Sequence, residues 1–418
     1  MKTVSKAKDY RVDRTKRLAG GYGPYVPVQN AEALLKRAVM SCLLWEDLFY
    51  ETGKDNANNI ANLIPQVRPL ECAKIAIEAR TEQKLRHVPL YIARVMSNLD
   101  THKYLVGWLL PQIVQRADEL AEFLAIYWKD GKQSLSKQVK LGLAKAFENF
   151  NEYQFAKYRG EGKEIKLRDV LQLVHPRPKD QKTSALYKKI LDNTLETPDT
   201  WEVALSTGKD KKESWERLIS EKKLGALAFL RNLRNMEQVS VSPSVIRQGF
   251  NTINSKWLLP LNYLSSAKYA PRWEREIEEL MFRGMKQTPK LPGYTIFVVD
   301  VSGSMHGGIS GKSEFDRLDV AGAMAMFASE VCERVSVYVT AGNDPTRVHR
   351  TEIIPARRGF GLVEIIKKSM YTMGGGGIFT RQCLEYIKER ENGVVPDRIM
   401  IFSDSQDCDH PSRRIPKP

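Results

Sequence analysis

The stretch TIFVVDVSGSM, Thr295 to Met305, constrains the fold of this chain more than any other. Ile296 to Val299 form an unbroken apolar run, which predicts a strand buried on both faces. Such strands belong to parallel sheets covered by helices. Two further β-rich runs follow, RVSVYVT (334–340) and DRIMIFSD (397–404), and helical segments such as FDRLDVAGAMAMFASEVCER and RQCLEYIKER fall between the runs. From Leu291 onward the chain reads as an α/β parallel sheet.

The preceding residues have another texture. From about residue 30 to 240, helix follows helix. In LPQIVQRADELAEFLAIYW, the residues Ile113, Ala117, Leu120, Leu124 and Trp128 recur at steps of three and four, on one face of a helix that Pro111 is placed to start. Ser134 or Ser136 is placed to cap a second helix, with Leu135, Val139, Leu143, Phe147 and Phe150 as its buried stripe. Lys129, Lys132, Lys137, Lys140 and Lys145 lie between these stripes and decorate helix faces and turns. Alternating strand patterns are nearly absent and connections are short, so an array of antiparallel helix pairs is expected. KQTPKLPG, residues 286–293, is expected to link the two parts.

Charge separates the same two parts. The net charge is +15, yet residues 291–418 carry 16 basic and 16 acidic residues, leaving 49 basic against 34 acidic in residues 1–290. A basic part beside a neutral one suggests that the first meets a polyanion, the alternative being a basic surface kept for solubility. The first twenty residues hold seven Lys or Arg but no apolar signal core, and no window approaches a membrane span, so a cytoplasmic protein is expected. Five cysteines, never in a C-x-x-C pair, suggest neither a disulfide framework nor a zinc site.

In parallel sheets ligands gather at the carboxyl ends of the strands. Asp300, Ser302 and Ser304 fall at that edge, with Gly303 between the hydroxyls. IFSDS ends another strand at Asp404, and GGGGIFT brings Thr380 after four glycines. Carboxylate and hydroxyl oxygens are the ligand set of a hard divalent cation, Mg²⁺ first among them. The plainer alternative is that Ser302 and Ser304 cap the following helix.

This D-x-S-x-S, Thr, Asp order resembles the metal-ion-dependent adhesion site of von Willebrand factor A domains. A complete A domain continues for several more strands and helices, whereas this chain stops fourteen residues after Asp404, so a C-terminally incomplete domain is expected. The helical part has its own resemblance. RLAGGYGPYVPVQNAEALLKRAVMSCLLWEDLFYETGKDNANNI, LRHVPLYIARVM, AFENFNEYQFAKYRGEGKEIKLRDVLQLVHPRP, TWEVALSTGKDKKESWERLI and LGALAFLRNLRN, from about Arg17 to Asn235, look like the TROVE module of Ro autoantigen proteins, bacterial type.

The resemblance implies a mainly α protein: a ring of HEAT-like helical repeats followed by an α/β, Rossmann-like A domain. The divisions are a basic arm at 1–16, the helical ring at 17–285, the linker at 286–293 and the A domain at 294–418. It also implies a monomer that binds small noncoding Y-like RNA on a basic outer surface and the 3′ ends of misfolded RNAs through a central hole. A 3′ exoribonuclease such as polynucleotide phosphorylase is the implied partner.

RNA contact is expected around AKYRGEGKEIKLRDVLQLVHPRP, where Lys157, Arg159, Lys163, Lys166 and Arg168 offer phosphate donors around a glycine turn. Lys137 and Lys140 extend this basic surface. His175 looks like a histidine of the family's RNA-binding surface and Lys157 like one of its lysines, while Arg159 or Lys163 stands where the spacing departs by one. The plainer alternatives are a helix-end histidine bonded to a carbonyl and lysines on solvated helix faces. Arg231 and Arg234 are expected to pair with carboxylates between packed helices. No Ser-His-Asp order, H-E-x-x-H or Walker loop is present, and Asp407 and Asp409 are the only further carboxylates near the cation set, so no catalytic residues are assigned. The competing functional class is a protein-interaction scaffold whose metal accepts a partner's carboxylate.

Overall fold

The computed structural model describes residues 12–17, 25–27, 30–40, 53–159, 162–206, 208, 210–309, 313–373, 375–404 and 406–409. Nineteen α-helices and six strands are found among them. Strands β1 (Val12–Arg17) and β2 (Tyr25–Pro27) make a two-stranded sheet, and the basic arm before Val12 lies outside the described residues, as do Cys42 and the tail from residue 410. No helix among the described residues is long and apolar enough to cross a membrane.

The chain divides into two compact units, one built on Pro27–Asp199 and the other on Thr200–Pro418. In the first, successive helices from Ala31–Met40 to Gln181–Leu191 close one continuous apolar core that includes Leu35, Ile92, Leu109, Phe123 and Val139. The helix Val106–Ile113 packs on Lys137–Ala146 so closely that a Cβ on Gly142 would lie 2.9 Å from Leu110 Cβ. Ser136 is the cap of the latter, accepting the Val139 N–H at 3.3 Å.

The single helix expected across residues 111–128 is two, Val106–Ile113 and Asp118–Tyr127, and Pro111 sits inside the first. Glu119 fixes the break. Fully buried, it accepts the Gln115 and Arg116 N–H groups at 2.8 and 3.0 Å and takes Arg80 at 2.7 Å, so the backbone bonds given up at the break are replaced by a carboxylate. The apolar stripe survives the break, with Ile113, Ala117, Leu120 and Leu124 all buried.

The second unit begins with helices from Trp201–Ser206 to Glu274–Met285, whose core of Trp215, Phe229, Leu233, Trp273 and Met281 also takes in Met326, Phe360 and Val363 of the α/β part. Of the expected linker, residues 291–293 already belong to strand β3 (Leu291–Asp300). With β4 (Cys332–Asn343), β5 (Val348–Ile353) and β6 (Arg398–Phe402), β3 forms a sheet ordered β5-β4-β3-β6. β3 is central and parallel to β4 and β6. Its residues alternate between two buried faces as the pleat requires: Phe297 and Val299 meet the helices Arg317–Val331 and Phe360–Met373, while Ile296 and Val298 meet Thr380–Arg390.

The sheet departs from the all-parallel expectation at β5, which runs antiparallel to β4. Asn343 closes a tight turn by accepting the Thr346 N–H at 2.9 Å on its side chain and the Arg347 N–H at 2.7 Å on its carbonyl, and Arg347 adopts a left-handed φ of 55°. A turn this short joins only antiparallel neighbours.

Candidate metal centre and nucleic-acid interface

β3 delivers Asp300 to the carboxyl edge of the sheet, level with Thr340 of β4, and the chain turns at once. Asp300 Oδ1 accepts the Ser302 N–H at 2.8 Å, its Oδ2 accepts Ser403 Oγ at 2.9 Å, and the Ser302 and Ser304 hydroxyls lie 3.1 Å apart. Gly303 lets the turn press against the glycine loop, since a Cβ there would fall 2.7 Å from the Gly375 carbonyl. Asp404, two residues past β6, is nearly enclosed and joins the group through Arg317, whose Nη1 donates to the Ser304 carbonyl at 2.8 Å and to Asp404 Oδ2 at 3.3 Å. Four of the five expected ligands therefore form one network. Thr380 is placed by other bonds, its N–H donating to Asp407 Oδ1 at 3.2 Å beside the parallel bridge of Ile378 with Asp407.

Burial pushes the Asp300 carboxyl up to about 6, with Asp404 adding to the rise and bonds from Ser302 and Ser403 opposing it. A dry carboxylate beside a second one calls for positive charge. The donor set, carboxylate and hydroxyl oxygen only, fits a hard divalent cation. No cluster of three or more His, Cys, Asp or Glu that could hold a metal exists among the described residues, so this mixed set has no acidic rival there. Ser302 stands at the N-cap of the short 3-10 helix Gly303–His306 but makes no side-chain cap bond there, and the helix Arg317–Val331 is capped by Asp316, which accepts the Asp319 N–H at 2.7 Å. Asp407 and Asp409 are likewise spent on a helix start, accepting the Thr380 and Gln382 N–H groups.

The basic residues lie in the first unit. Lys137 and Lys140 are exposed on the helix Lys137–Ala146. Lys157 ends the helix Glu152–Lys157 and lies 5.9 and 5.6 Å from the Tyr153 and Tyr158 ring centres. Arg159, Lys166 and Arg168 line one cleft of about 280 Å³ with Gly162 and Asn193, at the start of the helix Leu167–Val174. Arg159 is tied to the Leu195 carbonyl at 2.9 Å, which fixes one guanidinium nitrogen against the cleft wall. Lys163 turns elsewhere, pairing with Glu122 at 3.0 Å. His175 ends the helix with φ of 48°, its backbone N–H on the Leu171 carbonyl and its imidazole exposed.

Arg231 and Arg234 differ from expectation. Both are exposed on the helix Ala226–Gln238, and no ion pair joins either to a carboxylate among the described residues. The spacing of three residues places both on one solvent-facing stripe, a signal present in RNLRN itself.

A mainly helical protein whose α/β sheet carries an oxygen-lined carboxyl edge is the class that these features define. Within it, residues 193–253 match the TROVE domain family. The fold is similar to that of the crystal structure of the Ro (RSR) protein of Deinococcus radiodurans, at 16% identity and a TM-score of 0.59, over 89% of this chain and 86% of that one. The chain thus shares its fold with that Ro protein, and the TROVE match covers residues 193–253. No curated protein matches it.

Proposed function

We propose that this protein binds noncoding RNA without acting on it chemically, through the basic surface of its first unit. The observation that carries this reading is the cleft where Arg159, Lys166 and Arg168 converge at a helix N-terminus, a place suited to a phosphate. Lys137, Lys140, Lys157 and His175 extend the contact along exposed backbone and helix faces. Such a surface reads backbone and shape rather than base edges, which suits a structured RNA with a single-stranded end. The Ro-type fold and the TROVE signature support a Y-like RNA and the 3′ ends of misfolded RNAs as the ligands, with RNA quality control as the setting and a 3′ exoribonuclease as a partner. Asp300, Ser302, Ser304, Thr380 and Asp404 would hold a divalent cation, Mg²⁺ by donor type, which supplies an open coordination position for an anionic group.

The test is fluorescence anisotropy with a labelled RNA hairpin bearing a single-stranded 3′ tail, across a salt series. Lys166→Ala/Arg168→Ala removes two exposed cations and should weaken binding while lowering the salt slope by about 2. An unchanged slope and affinity would remove this cleft from the interface.

A further inference from the structure

Arg317 stands outside the D-x-S-x-S, Thr, Asp pattern, thirteen residues after Ser304, yet the fold puts its guanidinium among those ligands. The placement is built in from both sides. Asp316 caps the helix that Arg317 opens, and the Arg317 N–H donates to the Gly307 carbonyl at 3.0 Å, so the side chain starts from a fixed backbone. Gly307 then leaves room for the head group: a Cβ there would lie 2.6 Å from Nη1. The side chain is only 16% exposed, and it grips an Asp404 carboxylate that is 3% exposed.

We propose that Arg317 is a resident monovalent competitor for the divalent cation, holding Asp404 until an ion takes that carboxylate from it. The inference rests on reading Asp300, Ser302, Ser304 and Asp404 as a cation site. Asp404 Oδ1 accepts the Gln406 N–H at 3.1 Å and Oδ2 holds the guanidinium, so an ion on this carboxylate meets a positive charge already seated there, and the two repel each other. Arginine cannot relieve the resulting repulsion by losing a proton, as a lysine can, so the charge must move or be tolerated. The site is consequently weaker for a divalent ion than its oxygen ligands alone would make it. Ion binding also releases the Ser304 carbonyl that Arg317 holds, which couples occupancy to the turn carrying the two serines.

The experiment measures Mn²⁺ binding to the full chain by the electron paramagnetic resonance of the free ion, in the wild-type protein and in Arg317→Gln, Gly307→Ala and Asp300→Ala. Arg317→Gln should tighten Mn²⁺ by about tenfold. Gly307→Ala keeps the charge but removes its seat, and should also tighten binding. Asp300→Ala should abolish it. Binding that Asp300→Ala abolishes but that neither other variant tightens overturns the competitor and leaves the cation site standing. No Mn²⁺ binding in any variant, or binding indifferent to Asp300→Ala, overturns the cation site and the competitor with it. If circular dichroism shows Arg317→Gln unfolded, Gly307→Ala alone decides.

Discussion

Lys163 illustrates how charge at the right place in a sequence can serve a purpose other than the expected one. Burial would raise the Glu122 carboxyl, but bonds from His87 and Lys163 and the nearby Arg86 charge outweigh it and hold the group down at about 2. A folded value below the unfolded one, about 4.3 for a glutamate, adds stability that is complete above the unfolded value and drains as pH falls toward the folded one. Lys163→Ala should therefore bring acid unfolding of the first unit to higher pH, read by circular dichroism between about pH 5 and 2. It should cost less RNA affinity than Lys166→Ala, whose ammonium has no carboxylate partner among the described residues. An unmoved acid limb would mean that the ion pair contributes nothing. The sequence displayed both lysines equally; only Glu122, 41 residues away in the chain, tells them apart.

Individual elements were legible to the extent that their signals were local. Ile296–Val299 announced a doubly buried strand, and Leu135, Val139, Leu143, Phe147 and Phe150 are all buried as their periodicity predicted, although the helix itself holds only Val139 and Leu143, ends at Ala146 and passes into a 3-10 turn at Phe147–Asn149. The helix break at 114–117 was not legible, since it depends on Glu119 meeting Arg80 of another helix. Nor was β5, whose sequence VHRTEI is mostly polar because an edge strand buries little. The glycine run, in contrast, carries a local signal of its own. It allows a close backbone approach: Gly376 packs its backbone on the end of β4, where a Cβ would lie 1.9 Å from the Gly342 carbonyl. Gly376→Ala should lower the thermal midpoint of the second unit and weaken Mn²⁺ binding together. Gly361→Ala, where a Cβ meets nothing within 4 Å, is the control that should do neither. Equal melting of the two variants would show that the glycine loop yields without cost.

At the scale of the molecule, two kinds of charge chemistry fall in different segments of the chain. All of the excess positive charge falls within residues 1–290, whereas the oxygen-lined edge sits in the balanced segment from Leu291. Asp300→Ala should consequently bind the tailed hairpin as the wild-type protein does, with the same salt slope. A loss of RNA affinity in that variant would tie the cation edge to the RNA surface. The sequence by itself determined the fold class, the carboxyl-edge position of Asp300 and the basic character of the first part, because periodicity, strand ends and charge are properties of neighbouring residues. Which cations stand free was decided by the tertiary structure. So were the grouping of Arg159, Lys166 and Arg168 into one cleft and the approach of Arg317 to Asp404, 87 residues away in the chain. Each of these depends on partners that only packing brings within hydrogen-bonding distance.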